Sequence, residues 1–104
     1  MSLQDKVIVI TGASQGLGRE LSLQLSAIGA KVALVARTEK LLQELKDKII
    51  QNGGVTEYFV CDATDFNQVN STVKKVVETF GTIDVLINNA GIWLPDQFAL
   101  KDQS

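Results

Sequence analysis

The chain has 104 residues, of which 45% are hydrophobic and 21% are charged, and its formal net charge is -2. This composition is typical of one globular unit with a hydrophobic core, and it excludes a disordered or fibrous protein. The sequence has no histidine and one cysteine. It therefore excludes an intrachain disulfide, the common zinc sites and Ser-His-Asp or Cys-His catalysis.

Charge and hydropathy also limit the partners that the sequence predicts. Lysine and arginine form no run suited to a phosphate backbone, so we expect no nucleic acid partner. The longest strongly apolar stretch, residues 7–10, is too short for a membrane span or a signal peptide. We therefore predict a cytoplasmic protein with no membrane partner and no metal site, in which Cys61 serves only core packing.

Apolar runs alternate with segments of helical periodicity, as in parallel strands joined by crossover helices. We predict four strands, at residues 6–10, 31–36, 55–60 and 83–88, each buried on both faces because it is rich in Val, Ile and Leu. Gly29, the turn at 52–54 and Gly81 are expected to end the three helices between them. The predicted core-facing residues of these helices are Leu17, Leu21, Leu25 and Ile28, then Leu41, Leu45 and Ile49, then Phe66, Val69, Val73, Val76, Val77 and Phe80.

These elements predict an α/β fold, a Rossmann-like doubly wound parallel sheet with strand order 3-2-1-4. Residues 1–104 are expected to form one dinucleotide-binding domain that is incomplete after the fourth strand. The open edge of that strand predicts either association with further copies, as a homo-oligomer, or continuation of the sheet by more chain. A ligand crevice is expected beyond the carboxyl ends of the strands.

The turn after the first strand has the composition of a phosphate-binding site. Gly12, Gly16 and Gly18 follow the strand directly, and an amphipathic helix begins among them. Glycines let the backbone approach a pyrophosphate, and helix amides favour the anion. Ser14 is a further candidate donor. The spacing Gly-x-x-x-Gly-x-Gly differs from the general dinucleotide fingerprint, and Arg19 after Gly18 excludes a P-loop.

The end of the second strand predicts which dinucleotide is bound. Arg37 lies about 20 residues after the last glycine, where a reader of the adenine ribose is expected. An acid there would select NAD, whereas a guanidinium suits the 2′-phosphate of NADP. We therefore predict NADP (NADPH) as cofactor and NAD as less favoured. An ordinary exposed Arg37, with Glu39 as the ribose partner, is the alternative.

Polar residues also follow the third and fourth strands. Asp62, beside Ala63, is expected to accept a hydrogen bond from the adenine amino group, and a simple turn residue is the alternative. Asn88 and Asn89 precede the small residues Ala90 and Gly91, which leave room for a ribose against the backbone.

Together, the glycine turn, Asp62 and the Asn-Asn-Ala-Gly segment resemble the short-chain dehydrogenase/reductase family over almost the whole chain. The resemblance implies that Ser14, Gln15, Gly16 and Leu17 contact the cofactor and that Asn89, Ala90 and Gly91 touch the nicotinamide-side ribose. It also implies that a basic residue at Arg37 marks NADP. The cofactor-binding residues we predict are therefore Gly12, Ser14, Gln15, Gly16, Leu17, Gly18, Arg37, Asp62, Ala63, Asn89, Ala90 and Gly91.

The family's catalytic Ser and Tyr-x-x-x-Lys lie beyond Ser104, so we assign no catalytic residue. Tyr58 is the only tyrosine, and Asp62 stands four residues later where the family has Lys. We predict the cofactor-binding part of an NADP-dependent oxidoreductase acting on a small carbonyl or secondary alcohol, inactive by itself. The alternative is a short, non-catalytic dinucleotide-binding module. A methyltransferase is disfavoured because Ala36 stands where its acid is expected.

Trp93, Leu94, Pro95 and Phe98 form an apolar cluster after the last motif. We expect them to begin the core face of a further helix, and lining of a substrate pocket is the alternative.

Overall fold

The computed structural model describes residues 2–89. Strands and helices alternate along this part of the chain, as the periodicity predicts. The elements are β1 (Val7–Thr11), α1 (Gly16–Ala27), β2 (Lys31–Ala36), α2 (Glu39–Gln51), β3 (Val55–Val60), α3 (Phe66–Phe80) and β4 (Val85–Ile87). Ala90, Gly91 and the apolar cluster at 93–98 lie outside the described residues.

The four strands form one sheet in the order β3-β2-β1-β4, and all three strand pairs are parallel. The predicted fold class and strand order are confirmed. β1 lies in the centre, with Val7 beside Lys31 of β2 and Ile8 beside Val85 of β4. The chain first winds outward through β2 and β3 and then returns to the other side of β1, which places the crevice of such a fold at β1 and β4.

Alternating side chains of the central strands divide the core into two clusters, one on each face of the sheet. One cluster joins Ile8, Ile10, Val32 and Leu34 to Leu42, Leu45 and Ile49 of α2. The other joins Val7, Val9, Ala33 and Val35 to Val69 and Val76 of α3. Because helices cover both faces, the central strands are continuous apolar runs, as predicted.

The outer strands are less buried than the sequence predicts. Both ends of β3 are half exposed, at 52% for Val55 and 50% for Val60, and β4 is a three-residue strand of partly buried side chains. Burial on both faces was therefore a wrong prediction for these two strands, because each pairs on one side only within residues 2–89. The β3 edge also carries Glu57, which forms an ion pair of 2.9 Å with Lys46 of α2. A charge there protects an open edge.

The predicted apolar stripes fit α2 and α3 better than α1. Leu17 and Ile28 are 65% and 57% exposed, and the buried residues of α1 are Gly18, Ser22 and Ser26. The buried hydroxyls are satisfied within the helix, since Ser22 donates to Gly18 O and Ser26 to Leu23 O. Small residues therefore let α1 pack close to the sheet. In the other helices, Leu42 is buried where Leu41 was predicted, and Phe66 and Val77 are exposed.

Helix ends follow the sequence signals closely. Gly81 ends α3 in the left-handed conformation, with a φ of 89°, which only glycine adopts without strain. Asp65 begins the same helix, and its carboxylate accepts hydrogen bonds from the backbone amides of Asn67 and Gln68. Within residues 2–89, no helix has the length and apolarity needed to cross a membrane.

Candidate functional site

A cavity of about 390 Å³ lies at the carboxyl ends of the strands, where the fold predicts a ligand crevice. Residues following all four strands line it. They are Gly12, Ser14 and Gln15 after β1, Val35, Ala36, Arg37 and Thr38 at the end of β2, Cys61, Asp62, Ala63 and Thr64 after β3, and Asn89 after β4.

The glycine turn forms the floor of this cavity. Gly12 has a φ of 63°, and the next amide, Ala13 N, donates to Val35 O of β2 at 3.1 Å. The turn is thereby tied to the neighbouring strand, and Ser14 and Gln15 line the cavity before α1 begins at Gly16. This arrangement directs the helix amino terminus and its free amides to the site, where they favour an anion.

The other predicted residues of the turn have different surroundings. A Cβ added to Gly18 would overlap Gly12 O and lie 2.8 Å from Asn89 Nδ2, so Gly18 permits the close packing of α1 against the turn. Around Gly16 such an atom would meet nothing within 4 Å. Leu17 is largely exposed. Gly16, Leu17 and Gly18 do not line the described cavity, and their contact with a cofactor stays a prediction.

Thr11 joins the ends of the neighbouring strands β1 and β4, a role that the sequence reasoning missed. Its Oγ1 accepts a hydrogen bond of 2.8 Å from Asn89 N and donates to Asn88 Oδ1 at 3.1 Å. The Asn89 side chain reaches back to Gly12 O at 3.5 Å. A hydroxyl at the end of β1 and paired amides at the end of β4 were the available signals, because these ends meet in a 3-2-1-4 sheet.

The end of β2 presents a cation to the cavity. Arg37 and Thr38 both line it, and the Thr38 side chain does not cap α2. Glu39, the alternative ribose partner, is bonded to the Tyr58 hydroxyl at 3.0 Å and does not line the cavity. This hydrogen bond from the hydroxyl to a carboxylate raises the pKa of Tyr58.

The end of β3 presents an ionised carboxylate. Asp62 Oδ1 accepts hydrogen bonds from the Thr64 hydroxyl at 2.7 Å and from Thr64 N at 2.9 Å. These two bonds, with a smaller contribution from the charge of Arg37, lower the pKa of Asp62. The two predicted roles of Asp62 are thus compatible, since one oxygen forms a local turn while the residue also lines the cavity.

Cys61 is buried in the core cluster under α3, as predicted, and it also reaches the cavity wall. In the described part of the chain, no three Cys, Asp or Glu side chains are grouped so that they could hold a metal ion.

Comparison with known proteins identifies this chain as a member of the short chain dehydrogenase family, whose sequence pattern matches residues 6–104. The fatty acyl-CoA reductase of Acinetobacter baylyi is 42% identical over 90 residues, which are 86% of this chain and 30% of that protein. The predicted family resemblance is confirmed.

Solved structures of oxidoreductases share the fold. A metagenomic short-chain oxidoreductase in complex with NADP superimposes with a TM-score of 0.82 at 36% identity, over 88% of this chain and 42% of that one. An NAD+-bound xylitol dehydrogenase gives a TM-score of 0.83 at 34% identity, over 88% and 35%. One of these relatives binds NADP and the other binds NAD+. The shared fold therefore indicates a nicotinamide dinucleotide site and does not distinguish between the two cofactors. The chain spans about a third of the length of the relatives it matches.

Proposed function

We propose that this chain is the cofactor-binding part of an NADP-dependent short-chain oxidoreductase. The observation that carries the proposal is the cavity wall after β2, where Arg37 and Thr38 lie and no carboxylate does. A dinucleotide would lie across the carboxyl ends of the strands with its pyrophosphate at the glycine turn. When bound, the cofactor supplies the hydride for reduction of a carbonyl or oxidation of a secondary alcohol.

The chain's own residues would bind three parts of the cofactor: the pyrophosphate, the adenine and the ribose on the nicotinamide side. Ser14, Gln15 and the amides of α1 would hold the pyrophosphate, and Asp62 beside Ala63 would accept a hydrogen bond from the adenine amino group. Asn89 would contact the ribose on the nicotinamide side. The roles of Gly16, Leu17, Ala90 and Gly91 rest on the family resemblance.

Selection of NADP would depend on Arg37. A planar guanidinium forms paired hydrogen bonds to a phosphate, and a 2′-phosphate near an acid would be repelled. Glu39 is the acid nearest in sequence, and its bond to Tyr58 holds it away from the cavity. This pairing favours the NADP interpretation over the one in which Glu39 reads the ribose.

The whole protein is proposed to act on a small carbonyl or alcohol and to form homo-oligomers, as the sequence predicts. A cytoplasmic location stays a sequence-based prediction.

Calorimetry with NADPH and NADH tests this function. We expect the chain to prefer NADPH, and we expect Arg37→Gln to lose about tenfold or more in NADPH affinity while NADH binding changes little, because a charge-assisted hydrogen bond contributes about 1.5–3 kcal/mol. Arg37→Asp should reverse the preference.

Lys40→Gln is the matched control, because it removes the same charge from an exposed residue that does not line the cavity. An equal loss in both glutamine variants would indicate only general electrostatic attraction. A preference of the unmodified chain for NADH would overturn the assignment of NADP.

A further inference from the structure

Three hydrogen bonds hold the backbone of the connection between β3 and α3. Cys61 N donates to Ala36 O at 2.9 Å, and Asp65 N donates to Asp62 O at 3.0 Å. The backbone amide of Asp62 donates instead to a side chain, Oε1 of Gln68, at 2.8 Å. A residue in the first turn of α3 therefore reaches back to hold the carboxylate-bearing residue that lines the cavity.

The other end of the Gln68 carboxamide is also bonded, which fixes its orientation. Gln68 Nε2 donates to Asp65 Oδ2 at 3.2 Å. Because the oxygen must meet an amide and the nitrogen must meet a carboxylate, only one amide orientation satisfies both partners. A Gln three residues after a helix cap usually returns to the amide of the cap itself. That amide, Asp65 N, is already bonded to Asp62 O, so Gln68 holds Asp62 instead.

Asp62 is consequently fixed at its backbone and at one carboxylate oxygen. Thr64 occupies Oδ1 through two hydrogen bonds, and within residues 2–89 no protein donor reaches Oδ2. An anionic acceptor with one oxygen engaged and one available suits a ligand that offers a single N–H donor.

We propose that Gln68 is a positioning residue for adenine recognition, holding Asp62 so that Oδ2 is presented to the adenine amino group. This inference rests on the proposed function. It adds a residue that lies outside the cavity wall and acts through Asp62. Loss of the Gln68 bond would free the Asp62 backbone and lower the fraction of molecules in which the carboxylate is correctly placed.

The test compares NADPH with its deamino analogue, in which hypoxanthine replaces adenine and a carbonyl oxygen replaces the amino group. Asp62 can accept a hydrogen bond from the amino group but repels the carbonyl oxygen, so the unmodified chain should bind NADPH about tenfold more tightly than deamino-NADPH. Calorimetry gives both affinities, and circular dichroism shows whether each variant is folded.

Gln68→Ala should reduce this preference about fivefold, because one hydrogen bond is lost, and should leave the affinity for deamino-NADPH within about twofold. Gln68→Glu keeps an acceptor for the Asp62 amide, but it replaces the Nε2 donor with an oxygen that repels Asp65 Oδ2, so it should retain only part of the preference. Gln68→Met, which is similar in length and helix propensity, provides the same test if the alanine variant does not fold.

Asn67→Ala is the control, because Asn67 contributes its backbone amide rather than its side chain to the Asp65 cap; its preference should not change. Equal losses of both ligands in Gln68→Ala, or no loss of either, would overturn the positioning role. An unmodified chain that binds NADPH without discriminating against the analogue would overturn it as well, together with the adenine contact of Asp62, while leaving the proposed binding of NADP intact. Absence of NADPH binding would instead contradict the proposed function.

Discussion

Asp62 shows how one carboxylate can bond to the local backbone while its residue also lines a cavity. Its position directly after the third predicted strand was visible in the sequence, and this alone predicted its place at the carboxyl ends of the strands. The sequence did not indicate which oxygen of the Asp62 carboxylate would be free, because this depends on the hydrogen bond that the Thr64 hydroxyl donates to Oδ1. Gln68 was missed altogether, since a polar residue on an exposed helix turn carries no signal of its partner.

The hydrogen bonds from Thr64 predict that the pKa of Asp62 will change measurably when they are removed. The pKa of Asp62 is held below its usual range first by the Thr64 hydroxyl, then by the Thr64 amide and the charge of Arg37. Thr64→Val should therefore raise the pKa of Asp62 toward its ordinary value, because the strongest of these bonds is removed. Carboxyl NMR titration measures the change.

The sign of the pH dependence follows from the direction of this shift. A carboxyl group with a lower pKa in the folded state contributes stability above its unfolded pKa, near pH 4, and loses it as pH falls through the folded pKa. In Thr64→Val, the Asp62 carboxyl should contribute less to folding stability, and this contribution should be lost over a narrower pH interval. Thr79→Val is the control, because its hydroxyl bonds to Lys75 O within α3. An unchanged Asp62 titration in Thr64→Val would contradict the prediction.

At the scale of elements, α1 departs most from what its sequence predicts. Periodic leucines indicated a large apolar face, yet the helix rests on Gly18, Ser22 and Ser26. The reason is the glycine turn, which brings the start of α1 so close to Gly12 and Asn89 that only a glycine fits at position 18. Leu21 and Leu25 still pack against the core, as predicted, but they are only partly buried. Small residues at a spacing of four were present in the sequence, but small polar residues do not count as core in a hydropathy pattern.

Gly18→Ala tests this close packing. The added methyl group would collide with Gly12 O and crowd Asn89, so we expect a loss of about 1–3 kcal/mol in unfolding free energy and weaker NADPH binding. Urea denaturation measures the first effect. Gly16→Ala is the comparison, because its Cβ meets nothing within 4 Å and its cost comes from a φ of 60°, about 1–2 kcal/mol. A Gly18→Ala protein as stable as the unmodified chain would show that α1 can move away from the turn.

At the scale of the whole molecule, the order of strands was predictable because few topologies satisfy right-handed parallel crossovers. Four strands with three helices between them leave little choice once the glycine turn identifies β1 as central. Burial of the outer strands was less predictable. Valine is typical of interior strands, yet Val55 and Val60 lie in the edge strand β3 and are half exposed. Position in the sheet, rather than composition, decides their exposure.

If the proposed function is correct, cofactor binding by this chain is separate from proton transfer to the substrate. Reduction of a carbonyl needs a donor near the substrate oxygen, and Tyr58 is the only tyrosine of the chain. It lies in β3 with its hydroxyl bonded to Glu39, and it does not line the cavity. Its raised pKa further disfavours proton donation near neutral pH.

We therefore expect residues 1–104 to bind NADPH but not to reduce an aldehyde such as 4-nitrobenzaldehyde above the rate of the uncatalysed reaction. The loss of NADPH absorbance measures this rate. Tyr58→Phe should leave NADPH affinity unchanged and should lower stability only slightly, since the hydrogen bond that is lost is exposed to solvent. Carbonyl reduction that disappears in Tyr58→Phe would make Tyr58 a proton donor and contradict the separation of the two functions. Reduction that persists in Tyr58→Phe would show that another group of this chain donates the proton.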